Sequence, residues 1–145
     1  MKIFAVAVVV AVAFLLVTGS SYAQSVNVRN LTPPGAFEVV NEGYEVLLSS
    51  RVQVQRLVNG AWQDEITDMQ LVLSSNPPAC ITLRDSEHLR PPPWNGRDCA
   101  SQGLGGCRAT RILPPGTFRF VITSCSGDWS VAGPAFNMDS GNDKK

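Results

Sequence analysis

Leu113-Pro-Pro-Gly-Thr-Phe-Arg-Phe-Val-Ile-Thr-Ser-Cys125 decides how the rest of the chain reads. Phe118, Phe120 and Ile122 fall on one face of an extended strand, with Thr117, Arg119 and Thr123 on the other. This is the period-two pattern of a half-buried β-strand. Pro114-Pro115-Gly116 sets a turn in front of it, because Pro presets φ and Gly supplies the backbone freedom of a tight reversal. Cys125 closes the far end.

Moving back from this strand, short extended runs recur between turn signals. Val26 and Val28 alternate with polar residues in 24–30, and Thr32-Pro-Pro-Gly35 breaks that run before a second one at 36–40. Asn30-Leu31-Thr32 is a glycosylation sequon. Asn41-Glu-Gly43 precedes the longest extended stretch, 44–58, where Val46, Leu48, Val52, Val54 and Val58 share one parity. Ser50 and Arg56 interrupt that parity, which fits a bulge or a crossing between sheets. Leu57-Val-Asn-Gly-Ala-Trp62 predicts a hairpin, since a type I′ turn needs positive φ at both central residues and Asn-Gly supplies it. Trp62 then lies beside Leu57. Met69, Leu71 and Leu73 alternate in a further expected strand, and 80–83 forms another. Beyond the opening stretch, Ser126-Gly-Asp128 turns into a last strand, 129–138, broken at Gly133-Pro134.

No part of 24–145 sustains a helical period with caps. Short strands at roughly 8–12-residue spacing with Gly, Pro and Asn turns predict an all-β sandwich or small barrel. Pro114-Pro-Gly-Thr-Phe-Arg-Phe-Val-Ile122 resembles the penultimate strand of secreted immunoglobulin-like and fibronectin-III-like domains, where such a run leads into the last hairpin. The resemblance implies an Ig-like β-sandwich of Greek-key type. It covers about a dozen residues and lacks the Cys…Trp…Cys spacing of antibody domains, since Trp62 precedes every cysteine. It therefore carries no functional residue across.

The N-terminal 23 residues read as a cleaved signal peptide: Lys2, an apolar run from Ile3 to Val17, then a small-residue exit ending Ser-Tyr-Ala23. The apolar run falls short of the ~20 residues of a spanning helix, so no membrane insertion is expected after cleavage. The expected organisation is a leader (1–23), one β-sandwich domain (24–138) and a disordered polar tail (139–145). Without Lys2 the chain carries 11 basic and 12 acidic residues, a formal charge of −1. That balance argues against a general nucleic-acid or anionic-membrane binder.

All four cysteines, Cys80, Cys99, Cys107 and Cys125, lie in the C-terminal half. In a secreted or periplasmic chain they are expected to form two disulfides, and no pair shows the close spacing of thiolate zinc sites. Loop entropy gives roughly 4 and 2.6 kcal/mol for the nested pairing, Cys80–Cys125 with Cys99–Cys107. The sequential pairing gives roughly 3.3 and 3.2, so entropy does not choose. Geometry favours the nested pairing: 99–107 is flexible enough to close on itself, and Cys80 and Cys125 both sit at strand ends.

Candidate chemistry is sparse. His88 is the single histidine, and a Ser–His–Asp reading would pair it with Ser86 or Ser101 without a nucleophile-elbow motif. Asp64/Glu65 and Asp85/Glu87 are available carboxylate pairs, the first of them beside a hairpin. No metal or cofactor pattern is present. The feature that remains is 84–111, read as one long loop holding five arginines (Arg84, Arg90, Arg97, Arg108, Arg111) and Pro91-Pro92-Pro93. Long loops of this kind tend to be functional or disordered. The triproline stiffens the backbone and presents Trp94 between Arg90 and Arg97, residue types enriched at binding hot spots. The competing reading buries Trp94 as a cap on the sandwich core. The expected function is a non-enzymatic binding or inhibitory module that contacts a macromolecular partner, a protein, through Arg90, Trp94 and Arg97. A structural or adhesive subunit associating through a sheet edge and a small secreted hydrolase are the alternatives.

Overall fold

The computed structural model describes residues 25–104 and 106–139. The expected leader at 1–23, and all of the expected tail except Asp139, lie outside the described residues. The strands in chain order are β1 (Val26–Asn30), β2 (Phe37–Asn41), β3 (Val46–Val58), β4 (Ala61–Glu65), β5 (Cys80–Leu83), β6 (His88–Leu89), β7 (Arg97–Gly103), β8 (Gly106–Ile112), β9 (Gly116–Ser124), β10 (Ser130–Ala132) and β11 (Phe136–Met138). The protein is all-β, with no helix among the described residues and antiparallel pairing throughout.

β9 and β3 form the centre of the larger sheet, with Val54 opposite Phe120 and Val52 opposite Ile122. Phe118, Phe120 and Ile122 are buried as their parity requires, while Thr117, Arg119 and Thr123 stay half-buried. β10 and β11 pair in succession with the outer side of β9, and β5 and β4 pair with different stretches of β3. β1, β2 and β6 make a second, three-stranded sheet, in the order β1-β2-β6. The core lies between the two sheets. Phe37 of β2 stacks on Phe120 of β9 at 4.1 Å between ring centroids, and Phe120 stacks in turn on Phe136 at 4.8 Å.

The Asn59-Gly60 turn has φ of 49° and 79°, so both central residues take the positive φ of a type I′ hairpin, and Leu57 faces Trp62. The parity break at Ser50 is a bulge: the register against β9 shifts between Leu48 and Val52. There Ser50 donates its N–H to Ala79 and its carbonyl accepts from Leu71. β3 thus changes partner along one edge without leaving the sheet.

Two expectations need correction. Met69, Leu71 and Leu73 do not form a strand. Leu71 is buried, but Leu73 is 90% exposed, and the segment pairs through one bridge, Gln70 to Arg51. It is an irregular strap held at the bulge. The segment 84–111 is not one loop either, because it contains β6 and the β7–β8 ribbon. Apolar alternation could not reveal that ribbon, since most of its side chains bury no face.

The cysteines pair as Cys80–Cys125 and Cys99–Cys107, and no cysteine is free. The first bond joins β5 to the end of β9 across β3, where Ser49 faces Cys80 and Cys125 donates its N–H to Leu47. The second lies inside the ribbon. At the sequon, the Asn30 amide nitrogen already donates to the carbonyls of Pro134 and Ala135, at 3.0 and 3.4 Å.

Candidate functional site

The approach to the ribbon is built by residues first read as its recognition surface. Pro91 is buried, and Trp94 retains 6% of its surface. The Trp94 ring meets Phe118 edge-on at 4.9 Å between centroids, and its Nε1 donates to the Arg97 carbonyl at 2.9 Å. Its backbone N–H donates to Gly35. Trp94 therefore caps the core, and the expectation that it is presented to a partner gives way to the competing reading. Its indole finds both apolar neighbours and a polar partner inside the fold, so burial satisfies the whole side chain.

Arg90 is likewise engaged. Its Nε lies 3.1 Å from Glu38 Oε2, and His88 Nδ1 is 3.5 Å from the same oxygen. The Glu38 carboxylate is nearly buried, and its pKa is held below the ordinary value, first by the hydrogen bond from Arg90. Ser86 donates to Asp85 at 3.2 Å rather than to His88, and Ser101 lies exposed on β7. Among the described residues no group of three or more His, Cys, Asp and Glu side chains is placed to hold a metal ion.

Of the three expected contact residues, Arg90 and Arg97 are exposed, Arg90 tied to Glu38 and Arg97 at the start of the ribbon, with Nη1 3.5 Å from the Thr110 hydroxyl. β7 and β8 are seven residues each, and Arg97 faces Ile112 at the base while Gly103 faces Gly106 near the tip. Three features fix the ribbon. Leu113 donates its N–H to Gly96 across the base, the Cys99 N–H donates to Ile66 at 2.7 Å, and the disulfide joins the two strands.

Beneath it, Asp98 is 3% exposed and receives a two-pronged contact from Arg111, at 2.9 and 3.0 Å. Asp98 also acts on Glu65 at the end of β4. The pKa of Glu65 is raised, chiefly by burial and then by the Asp98 charge. Arg108, on β8, is exposed.

Between the ribbon and the 67–77 strap run two adjoining hollows of about 290 and 560 Å³. They share Thr67, Asp68, Gln70, Ser74 and Cys107 and so form one groove. One end is largely apolar, lined by Met69, Val72, Leu73, Pro92 and Pro93, and the other is polar, with Asp68 shared by both and Arg51 and Arg97 at the sides. Such a surface combines apolar contact at one end with hydrogen bonding and charge at the other. Sequence reasoning missed the Asp98–Arg111 pair, its action on Glu65, and the groove. The signal it passed over was Cys99…Gly103-Leu-Gly-Gly106-Cys107, a glycine-rich turn between two cysteines, which is also the pattern of a disulfide-braced hairpin.

Comparison with known protein families, with curated proteins and with solved structures finds no match to this chain.

Proposed function

We propose that the protein is an exported binding or inhibitory module of Ig-like β-sandwich type, which contacts a macromolecular partner through its β7–β8 ribbon and the adjoining groove. The sheet orders support the sandwich reading. β10/β11-β9-β3-β4 opposed to β1-β2-β6 corresponds to the G-F-C-C′ and A-B-E strands of such domains, and Phe37–Phe120 packs between the layers. Two disulfides fit an oxidising compartment, as does the leader read in 1–23.

One observation carries the functional reading. The ribbon is braced at base, middle and tip side, yet Cys99 is its single apolar contribution to the buried residues. Ordering β7 and β8, Arg97–Gly103 and Gly106–Ile112, costs conformational entropy that burial here does not offset. Pre-organising a surface for a partner accounts for that cost, because a rigid surface loses little entropy on binding. A photoreactive residue at Arg108, with a control at the 86%-exposed Tyr44, tests this in periplasmic and extracellular fractions. Adducts from the Arg108 position alone are expected. Equal yields from both positions would overturn the reading.

A second reading, a structural subunit that associates through a sheet edge, is favoured by β8, which pairs with β7 alone among the described residues. Sedimentation over a wide concentration range decides it. Self-association abolished by Arg108→Pro would support the subunit, and a constant monomer mass would exclude it.

A further inference from the structure

We infer that the free edge of β8 takes an acidic, extended segment of a partner protein by strand addition. This rests on the reading of the ribbon as the binding surface and names the chemistry of what it binds. β7 spends an edge group on the body of the fold, where the Cys99 N–H donates to the Ile66 carbonyl. β8 pairs only with β7 among the described residues, and Arg108 to Ile112 are exposed without interruption. Alternate N–H and C=O groups of an antiparallel strand point away from its partner, so β8 offers a row of donors and acceptors. The bond from Leu113 to Gly96 at the base and the disulfide further along hold that row in a fixed register. An incoming strand therefore meets an ordered template.

Charge selects the occupant. The ribbon carries Arg97, Arg108 and Arg111 against one acid, Asp98, which is buried and already held by Arg111. Its exposed charge is thus wholly positive in a chain of formal net charge +0. A second copy of the ribbon would bring Arg97 and Arg108 against the same two residues, which disfavours self-pairing. A strand with carboxylates meets complementary charge, and main-chain bonds supply affinity that depends little on sequence. Ile112, 50% exposed, adds an apolar contact for alternate side chains of the incoming strand.

The test uses the full exported chain and a decapeptide of alternating Glu and Val. Two control peptides accompany it: the Lys–Val counterpart, and a Glu–Val version with two central prolines that cannot pair as a strand. Amide hydrogen exchange is followed residue by residue. The Glu–Val peptide is expected to slow exchange at 107–112 and to leave β4 unchanged. Arg97→Glu with Arg108→Glu should weaken binding about tenfold or more at an unchanged melting temperature. Absent protection of β8 at millimolar peptide, equal binding of the Lys–Val peptide, or equal binding of the proline peptide would each overturn strand addition. Adducts at Arg108 without β8 protection would leave the ribbon as the binding surface and remove only this mode. Loss of both would remove the ribbon itself.

Discussion

Glu38 sits in the outer face of the smaller sheet beneath Arg90 and His88, and its charge depends on them. Its folded pKa lies below the ordinary 4.5, with the Arg90 hydrogen bond as the largest cause and burial opposing it. A depressed carboxylate pKa contributes stability that is present above 4.5 and lost as pH falls through the folded value. Arg90→Gln removes the main depressing partner, so the pKa rises and the loss begins at higher pH. Acid-unfolding curves of the two proteins should show the midpoint displaced upward in the variant, while an unmoved midpoint would show that Glu38 is not linked to folding. Trp94 invites a second measurement. Trp94→Ala leaves a void against Phe118 and is expected to cost about 3–5 kcal/mol in urea unfolding, the scale of a large core truncation. A cost below about 1 kcal/mol, the scale of a surface change, would contradict its place in the core. Both alternatives for Trp94 were legible in Arg90-Pro-Pro-Pro-Trp94. The choice between them was not, because the partners that bury it, Phe118 and the Arg97 carbonyl, come from elsewhere in the fold or from a bend in the chain.

At the scale of elements, local signals were read well where one face is buried and one turn decides. Asn59-Gly60 is such a case. A Cβ at Gly60 meets nothing within 4 Å, so substitution there is resisted by the backbone alone, at φ 79°. Gly60→Val should therefore cost about 1–2 kcal/mol, the strain of a β-branched residue at positive φ. Thermal melts check it, with Gly60→Ala expected to cost less. The bulge at Ser50 and the break at Gly133-Pro134 were legible for the same reason: each interrupts a regular pattern. The strap at 67–77 shows the reverse. Met69, Leu71 and Leu73 alternate as a strand would, yet the chain is held at Gln70 by the bulge of β3 and turns Leu73 outward. The ribbon escaped the pattern because it has no apolar face to display. Its strands exist through a turn, a disulfide and backbone pairing, none of which leaves a period in the sequence.

The whole molecule is held by two covalent links of unlike reach. Cys80–Cys125 spans 45 positions and fastens both neighbours of β3, whereas Cys99–Cys107 spans 8 within one hairpin. Loop entropy puts the first at about 4 kcal/mol and the second at about 2.6. Paired Cys→Ala variants should keep that order in urea unfolding, and the reverse order would mean that the ribbon, rather than the sheets, limits stability. The unreduced, denatured protein is expected to react with no thiol reagent. Cysteine spacing alone did not decide this arrangement, because the nested and sequential pairings have equal entropy sums. It took the pairing of β5 with β3, and of β3 with β9, to bring Cys80 and Cys125 together.

The hydrogen bond from Leu113 to Gly96 has one more consequence. The excursion leaves the framework and re-enters it at neighbouring points, so apart from Asp98 and Cys99 near its base the two sheets sense where its ends are fixed and little of what lies between. Closing 30 residues instead of 10 across that gap costs about 1 kcal/mol more. The junction is thus an insertion port: excursions of other lengths and chemistries could be carried there by the same framework, and recognition could diversify while the sheets that support it stay as they are.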